Sequence, residues 1–206
     1  MDNKAYLDQI AVKGKNATNS GPLLSPLMIK LLIAGAIMLI TLIVVAVMFN
    51  NTNDKLIQSY ERLYLRVTQL CGTKGPYKQY STFINSSDLA AYANQLETSL
   101  TNTTNRLSPV WNSLNVNSAN ISKDVKNEET TSFNSYMHRL EEASVNGQMD
   151  SYYSSLTANQ IMQLETLEQQ ILKKTKNKSL PAILEQSISE LDKLYERFRD
   201  FNSTLE

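Results

Sequence analysis

The sequence predicts an all-α protein in which a single N-terminal transmembrane helix precedes an antiparallel, up-and-down bundle of four to five helices. Residues 31–49 form one apolar run without a charged side chain. Residues 50–206 repeat a helical apolar stripe followed by a break, and no long stretch alternates as a β-strand does. Glycine and proline are scarce, at 6 and 5 in 206 residues, which is typical of long helices.

The apolar run from Leu31 to Phe49 contains one polar side chain, that of Thr41. As a helix it spans about 28 Å, close to the ~30 Å hydrocarbon core of a bilayer. A cleaved signal peptide is the alternative, but its apolar region is usually about 7 to 15 residues long and follows a short basic start. We therefore expect an uncleaved anchor over 28–49, preceded by a short flexible tail over 1–27.

The orientation of this anchor rests on the rules for topology. Lysine and arginine residues near the two ends of the span are equal in number, so the charge bias is tied. The first span usually sets topology, and long domains translocate largely regardless of charge. We expect a cytoplasmic N-terminus, a single pass through the cell membrane and an extracytoplasmic domain over 50–206. The tied residues are Lys13, Lys15 and Lys30 before the span and Lys55, Arg62 and Arg66 after it.

The first bundle helix is predicted over 54–71. Its stripe has the 4-3-4-3 spacing of a left-handed bundle seam, which favours coiled-coil packing. Gly72 and the pair Gly75-Pro76 form the predicted stop. The stripe consists of Leu56, Tyr60, Leu63, Val67 and Leu70.

The second helix is predicted over 87–107, with Ser87 as its N-cap and the pair Ser108-Pro109 as its stop. The residues that follow, 108–121, have no regular pattern and are expected to be irregular. The stripe of this helix consists of Leu89, Ala93, Leu96, Leu100, Thr103 and Leu107.

The remaining three helices are predicted over 122–146, 150–176 and 180–202. Asn146-Gly147 ends the first of them, and Asp150 is expected to cap the second. Short links between long helices favour antiparallel neighbours. The stripes are Val125, Phe133, Met137, Leu140 and Ser144, then Tyr153, Leu156, Gln160, Leu164, Leu167 and Ile171, then Leu184, Ile188, Leu191, Tyr195 and Phe198.

The region after the span is nearly neutral, with 16 Lys plus Arg against 18 Asp plus Glu. No strong attraction to nucleic acid follows from that balance, so no nucleic-acid partner is expected. Cys71 is the only cysteine, which excludes an internal disulfide. It is either a small buried apolar group or the site of an intermolecular disulfide. The expected partners are the lipid bilayer and either another protein or a second copy of this chain.

The residues that could carry catalysis do not form a motif. His138 is the only histidine, it lies on a different predicted helix from Cys71, and Glu142 one turn on is its expected partner. No Glu-x-x-His motif or Cys/His cluster is present for a metal. Three carboxylate pairs are expected on solvated faces. We predict no enzyme, cofactor or metal; the pairs are Glu128-Glu129, Glu141-Glu142 and Glu165 with Glu168.

A cluster of four lysines without an acid lies around the link between the last two helices. These lysines are either a solvated loop that complements a helix dipole, or a contact with anionic lipid. An up-and-down count of helices returns this link and Trp111 to the membrane end of the bundle. A tryptophan and a basic patch are typical of membrane interfaces. The cluster consists of Lys173, Lys174, Lys176 and Lys178.

Two classes of function follow from this architecture. The first is a membrane-anchored helical bundle with a structural or protein-interaction role. The alternative is a ligand-binding or sensing accessory domain of the cell envelope, which holds a small molecule between its helices. A core filled by its own side chains favours the first class, whereas an apolar cavity with a few convergent polar groups favours the second.

Overall fold

The computed structural model describes residues 54–203, with side chains to residue 201, and these belong to one unit, Asn51–Glu206. The predicted span at 28–49 lies outside the described residues. Helices and turns, without a strand, make up this part of the chain, so the predicted all-α bundle is confirmed for it. The helices are α1 (54–71), α2 (Pro76–Tyr80), α3 (Ser87–Ser113), α4 (Lys123–Val145), α5 (Met149–Lys174) and α6 (Leu180–Ser203), with a 3-10 turn at Ser81–Phe83.

The long helices pack in the order α4, α5, α6, α3, and α1 followed by α2 lies between α3 and α4. On one side, Tyr64 of α1 meets Trp111 of α3 edge to face, with ring centroids 5.1 Å apart. On the other side, the hydroxyl of Tyr80 in α2 donates to the Met137 carbonyl of α4 at 3.3 Å. Two successive helices therefore occupy one position of the bundle, and the chain alternates in direction from α3 onward.

The predicted seams supply most of the core. All six residues of the predicted α3 stripe are buried, from Leu89 to Leu107. In α5, Leu164 and Ile171 are fully buried, and so is Leu191 in α6. The seams of neighbouring helices thus meet in one continuous hydrophobic cluster, as the heptad spacing predicts.

Helix α3 does not stop at Ser108-Pro109 but continues to Ser113 with Pro109 inside it. Burial of Val110 and Trp111, at 6% and 2% exposed, extends the apolar stripe by one more turn and offsets the hydrogen bond that proline removes. Beyond the last helical residue, Ser113, the chain turns at Asn115, whose φ is 55°, and the Val116 amide donates to the Trp111 carbonyl at 2.9 Å. This is the glycine-type C-terminal turn with asparagine in the left-handed position.

Two predicted caps differ from the structure. The N-cap of α3 is Ser86 and not Ser87, because the Ser86 hydroxyl accepts the Leu89 amide at 3.3 Å. Asp150 does not cap its own helix. Its carboxylate accepts the amides of Asn85 and Ser86 at 2.8 and 3.0 Å, and so joins the start of α5 to the start of α3.

The five-residue helix α2 was not predicted, because five residues are too few to show a period. Gly75-Pro76, read as a stop, instead begins this helix with proline at its first position. Within residues 54–203, no helix is both long enough and apolar enough to cross a bilayer.

Candidate functional surface

We call the end of the bundle at which the described chain begins the proximal end, comprising residues 54–61, 110–126 and 173–182. Two hydrogen bonds join these segments. The Tyr60 hydroxyl donates to the Thr175 hydroxyl at 3.0 Å, and the Ser122 hydroxyl donates to the Glu61 carboxylate at 2.6 Å. The first turns of α1, the α3–α4 link and the α5–α6 link therefore lie at one end.

The proximal end carries a net positive charge. Its three segments contain seven lysines against three acids, Asp54, Glu61 and Asp124. The distal end, which we define as residues 81–90, 141–154 and 196–203, contains two arginines against six acids. Because the described residues as a whole are close to neutral, the bundle is electrically polarised along its length. The seven lysines are Lys55, Lys123, Lys126, Lys173, Lys174, Lys176 and Lys178.

The residues that the sequence predicts as a membrane contact lie at one end of the bundle but differ in exposure. All four lysines of the predicted cluster, Lys173 to Lys178, are exposed at the proximal end. Trp111 is at the same end of α3 but is only 2% exposed and packs on Tyr64, and its indole N–H has no hydrogen-bond partner among the described residues. The enclosed indole therefore offers no surface to lipid in this conformation, whereas the lysines do.

An open cleft of about 310 Å³ lies within the proximal end. Its walls are mainly apolar, and two of the wall residues, Ile57 and Leu114, are 40% and 38% exposed. The Tyr60 hydroxyl, also a lining group, is already bonded to Thr175. The cleft is lined by Leu56, Ile57, Tyr60, Leu114, Thr175, Lys176 and Asn177.

A buried ion-pair group fixes α1 to α4. Glu129 is 3% exposed and accepts hydrogen bonds from Arg66 at 2.7 and 3.1 Å and from Arg62 at 3.0 Å. Arg66 also donates to the Gln163 side chain of α5 at 3.3 Å. A cleft of about 290 Å³ beside these arginines is therefore lined by donors that are already bonded within the protein.

A second buried glutamate lies between α3, α5 and α6. Glu168 is 0% exposed, and its Oε1 accepts the Ser187 hydroxyl at 2.8 Å, while Ser187 accepts the Thr103 hydroxyl at 3.2 Å. The Oε2 atom is buried and has no hydrogen-bond partner in the structure. Burial raises the pKa of Glu168 to about 8, in spite of the Ser187 bond, and the charges of Glu165 and Glu190 add to the rise.

The burial of these glutamates corrects the expectation that Glu128-Glu129 and Glu165 with Glu168 lie on solvated faces. Glu129 and Glu168 each take an interior position, whereas the Glu128 side chain is 60% exposed. The sequence does contain a signal for Glu168, since Leu164, Glu168 and Ile171 follow the 4-3 spacing of a seam. Glu165 is half-buried, and burial raises its pKa to about 7, with the charges of Asp192 and Glu196 adding to the rise.

The remaining candidates lie apart. His138 is 68% exposed, and its Nδ1 is 3.6 Å from the Glu142 carboxylate. Cys71 is a half-buried free thiol at the end of α1, with Sγ 4.0 Å from the Thr104 hydroxyl, and a disulfide to a second chain stays a prediction. Across residues 54–203, no group of three or more His, Cys, Asp or Glu side chains could hold a metal ion.

The comparisons with known proteins give no family for this chain. No protein-family profile, no curated protein and no solved structure matches it. The charge, clefts and contacts of its own bundle are therefore the basis for a function.

Proposed function

We propose that this protein is a single-pass membrane protein whose extracytoplasmic helical bundle is held against the bilayer surface and has a structural or protein-interaction role. Residues 31–49 supply the anchor. The proximal end faces the lipid, and the distal end faces a partner.

The observation that carries this proposal is the polarity of charge between the two ends. Seven lysines lie at the end that follows the predicted span, and six acids lie at the other. A basic surface near anionic headgroups is attracted to them, and the attraction falls off within about one Debye length, ~8–10 Å at physiological salt. In the sequence, residue 54 follows Phe49, the last residue of the predicted span, by only five positions.

The packing of α1 makes this helix an integral part of the bundle. Leu63 and Val67 of α1 are fully buried, and Arg62 and Arg66 bind Glu129 of α4. The helix that follows the predicted span is thus part of the core and not a free stalk.

The distal end offers the chemistry of a protein contact. Phe83, Val145 and Tyr152 are 47%, 82% and 38% exposed, although they are large apolar or aromatic side chains. Tyr152 lines a cleft of about 230 Å³ together with Asn85 and Gly147. Aromatic side chains are enriched in protein interfaces, whose rims are polar.

Extraction of intact membranes tests the anchor. The full chain should stay in the membrane pellet in high salt and in alkaline carbonate, whereas a variant without residues 31–49 should be released by carbonate. Release of the full chain by carbonate would refute the membrane assignment.

Labelling of single cysteines tests the orientation. In a C71S background, a membrane-impermeant maleimide should label V145C in intact cells but K13C only after permeabilisation. Labelling of K13C alone in intact cells would reverse the orientation.

Photo-crosslinking tests the interaction role. With p-benzoylphenylalanine at position 145 in intact membranes, a covalent adduct with a protein or a second copy of the chain is expected. A matched residue at exposed position 193 should give no such adduct. Equal adducts at both positions would argue against a distal interface.

A further inference from the structure

The apolar stripe of α1 becomes more exposed toward residue 54. Leu63 and Tyr60 are buried, whereas Leu56 is half-buried and Ile57 is 40% exposed, and the last two line the proximal cleft. An apolar strip of α1 therefore leads from the bundle core into the proximal cleft. Ile57 and Leu114 are exposed apolar side chains of this cleft, so an apolar ligand that covers them is favoured.

The rim of the cleft has the opposite character from its walls. Lys176 and Asn177 line it, and Lys173, Lys174 and Lys178 lie on the same turn and link. The sequence 173–179 contains no acid, so these lysines are not neutralised within their own segment. An apolar wall beside ammonium and amide donors matches a molecule with an acyl chain and an anionic headgroup.

We infer that the proximal cleft binds one anionic phospholipid of the bilayer that anchors the chain, with acyl carbons against Leu56, Ile57 and Leu114 and the phosphate at Lys176 and Asn177. The inference rests on the proposed membrane function and adds to it a defined lipid site. The place of the cleft supports this occupant, because residue 54 follows the predicted span by only five residues.

Site-specific photo-crosslinking on the full chain tests the acyl-chain part. The protein carries p-benzoylphenylalanine at position 114 or, as a second variant, at position 57, and is reconstituted in vesicles of equimolar phosphatidylglycerol and phosphatidylcholine. Mass spectrometry should find phospholipid adducts at both positions. The matched control is position 83, an exposed aromatic residue of the distal end, which should give no lipid adduct.

Other occupants would give different adducts. A crosslink from position 114 and from position 57 to residues 1–53, or to a second copy of the chain, would overturn the lipid site. The absence of any lipid adduct in a chain that resists carbonate would overturn it as well, while leaving the proposed function standing. Release by carbonate would instead overturn both.

The ratio of the two lipids in the adducts tests the headgroup part. We expect phosphatidylglycerol to exceed phosphatidylcholine, and K176Q to lower this ratio about fivefold, as the loss of one lysine near an anionic surface implies. Replacing all four cluster lysines by Gln should abolish the preference. K193Q, an exposed lysine in the middle of α6, is the control and should leave the ratio unchanged. An unchanged ratio in the fourfold variant would overturn the assignment of the anionic headgroup.

Discussion

Glu129 and Glu168 occupy two interior positions of the same bundle and are surrounded in opposite ways. Glu129 is 3% exposed and receives three N–H bonds from two arginines. Glu168 is 0% exposed and receives one hydroxyl bond, with no cation among the groups that shift its pKa. A buried carboxylate needs either a counter-charge or a proton. Glu129 has the counter-charge of two arginines, whereas the raised pKa of Glu168 favours the proton.

The difference follows from where each helix pair lies. Arg62 and Arg66 are on α1, near the surface, where their side chains stay 29% and 20% exposed. Glu168 faces Ser187 of α6 and Thr103 of α3, all three of them at 4% exposure or less. The α1–α4 contact therefore contains a buried carboxylate with its counter-charge, whereas the α3–α5–α6 contact contains a buried carboxyl group with a hydroxyl relay and no cation.

Removal of the counter-charge from Glu129 should have the largest effect. In the double variant R62M/R66M, a buried carboxylate loses its cations while the apolar stems remain, and the free energy of unfolding should fall by about 3 to 5 kcal/mol. Trp111, the only tryptophan and a buried one, reports unfolding of the full chain by urea in a nonionic detergent.

The control for this effect removes the carboxylate as well. R62M/R66M/E129L should recover most of the lost stability, because no charge is left unpaired. R199M on α6, where the arginine is 52% exposed, should cost little. A triple variant as unstable as the double one would mean that the arginines act through packing and not through charge.

Replacement of Glu168 should have the second largest effect, and it should raise the free energy of unfolding rather than lower it. Burial raises the pKa of Glu168 in the folded state to about 8, above its ordinary value of 4.5, so the folded state binds the proton more tightly. The stabilisation by this proton is fully present below pH 4.5 and is lost as the pH rises through 8. E168Q removes that loss, and we expect it to raise the free energy of unfolding by about 2 to 3 kcal/mol at pH 9.

The expected gain in the free energy of unfolding is smaller than the pKa shift alone implies, because the new amide also needs hydrogen-bond partners that the site does not supply. The measurement is urea unfolding of both proteins from pH 5 to 9. Burial raises the pKa of Glu165 to about 7, so this group titrates in an overlapping pH range. The variant E165Q is the control that measures how much Glu165 contributes to the pH dependence of stability. An E168Q variant that is less stable than the wild type at pH 9 would show that Glu168 is held as an anion.

Much of the fold follows from the sequence, because seams are periodic. Every stripe residue predicted for α3 is buried, and the helices are separated at the predicted Gly, Asn and Pro positions except at Pro109. The sequence predicts a stop at Pro109 because local helix propensity does not include the packing of Trp111 on Tyr64. The sequence also predicts Glu129 and Glu168 on solvated faces. The groups that bind these carboxylates come from other helices, so the pattern of one helix does not show them.

Two variants of the hydroxyl relay should have smaller effects on stability and distinguish the Ser187–Glu168 bond from the Thr103–Ser187 bond. S187A leaves Glu168 without its donor and should cost about 1 to 2 kcal/mol, with a larger loss at pH 9 than at pH 5, because the Ser187 bond lowers the pKa of Glu168. T103V removes only the donation from Thr103 to Ser187, so its cost should not depend on pH. Equal pH dependence in both variants would argue against a separate role for the Ser187–Glu168 bond.

The pair His138–Glu142 completes the comparison with a carboxylate that has a partner but no burial. Both side chains are more than 60% exposed, and the contact of 3.6 Å spans one turn of α4. Exposed pairs at this spacing contribute about 0.2 to 0.5 kcal/mol, because water screens the charge and side-chain entropy opposes the contact. H138A and E142A should each lower the free energy of unfolding by no more than that amount. L164A, in the core, should cost about 2 to 5 kcal/mol in the same assay and sets the scale. If H138A costs as much as R62M/R66M, burial is not what distinguishes Glu129, and the ion pairs of α4 act as one surface network.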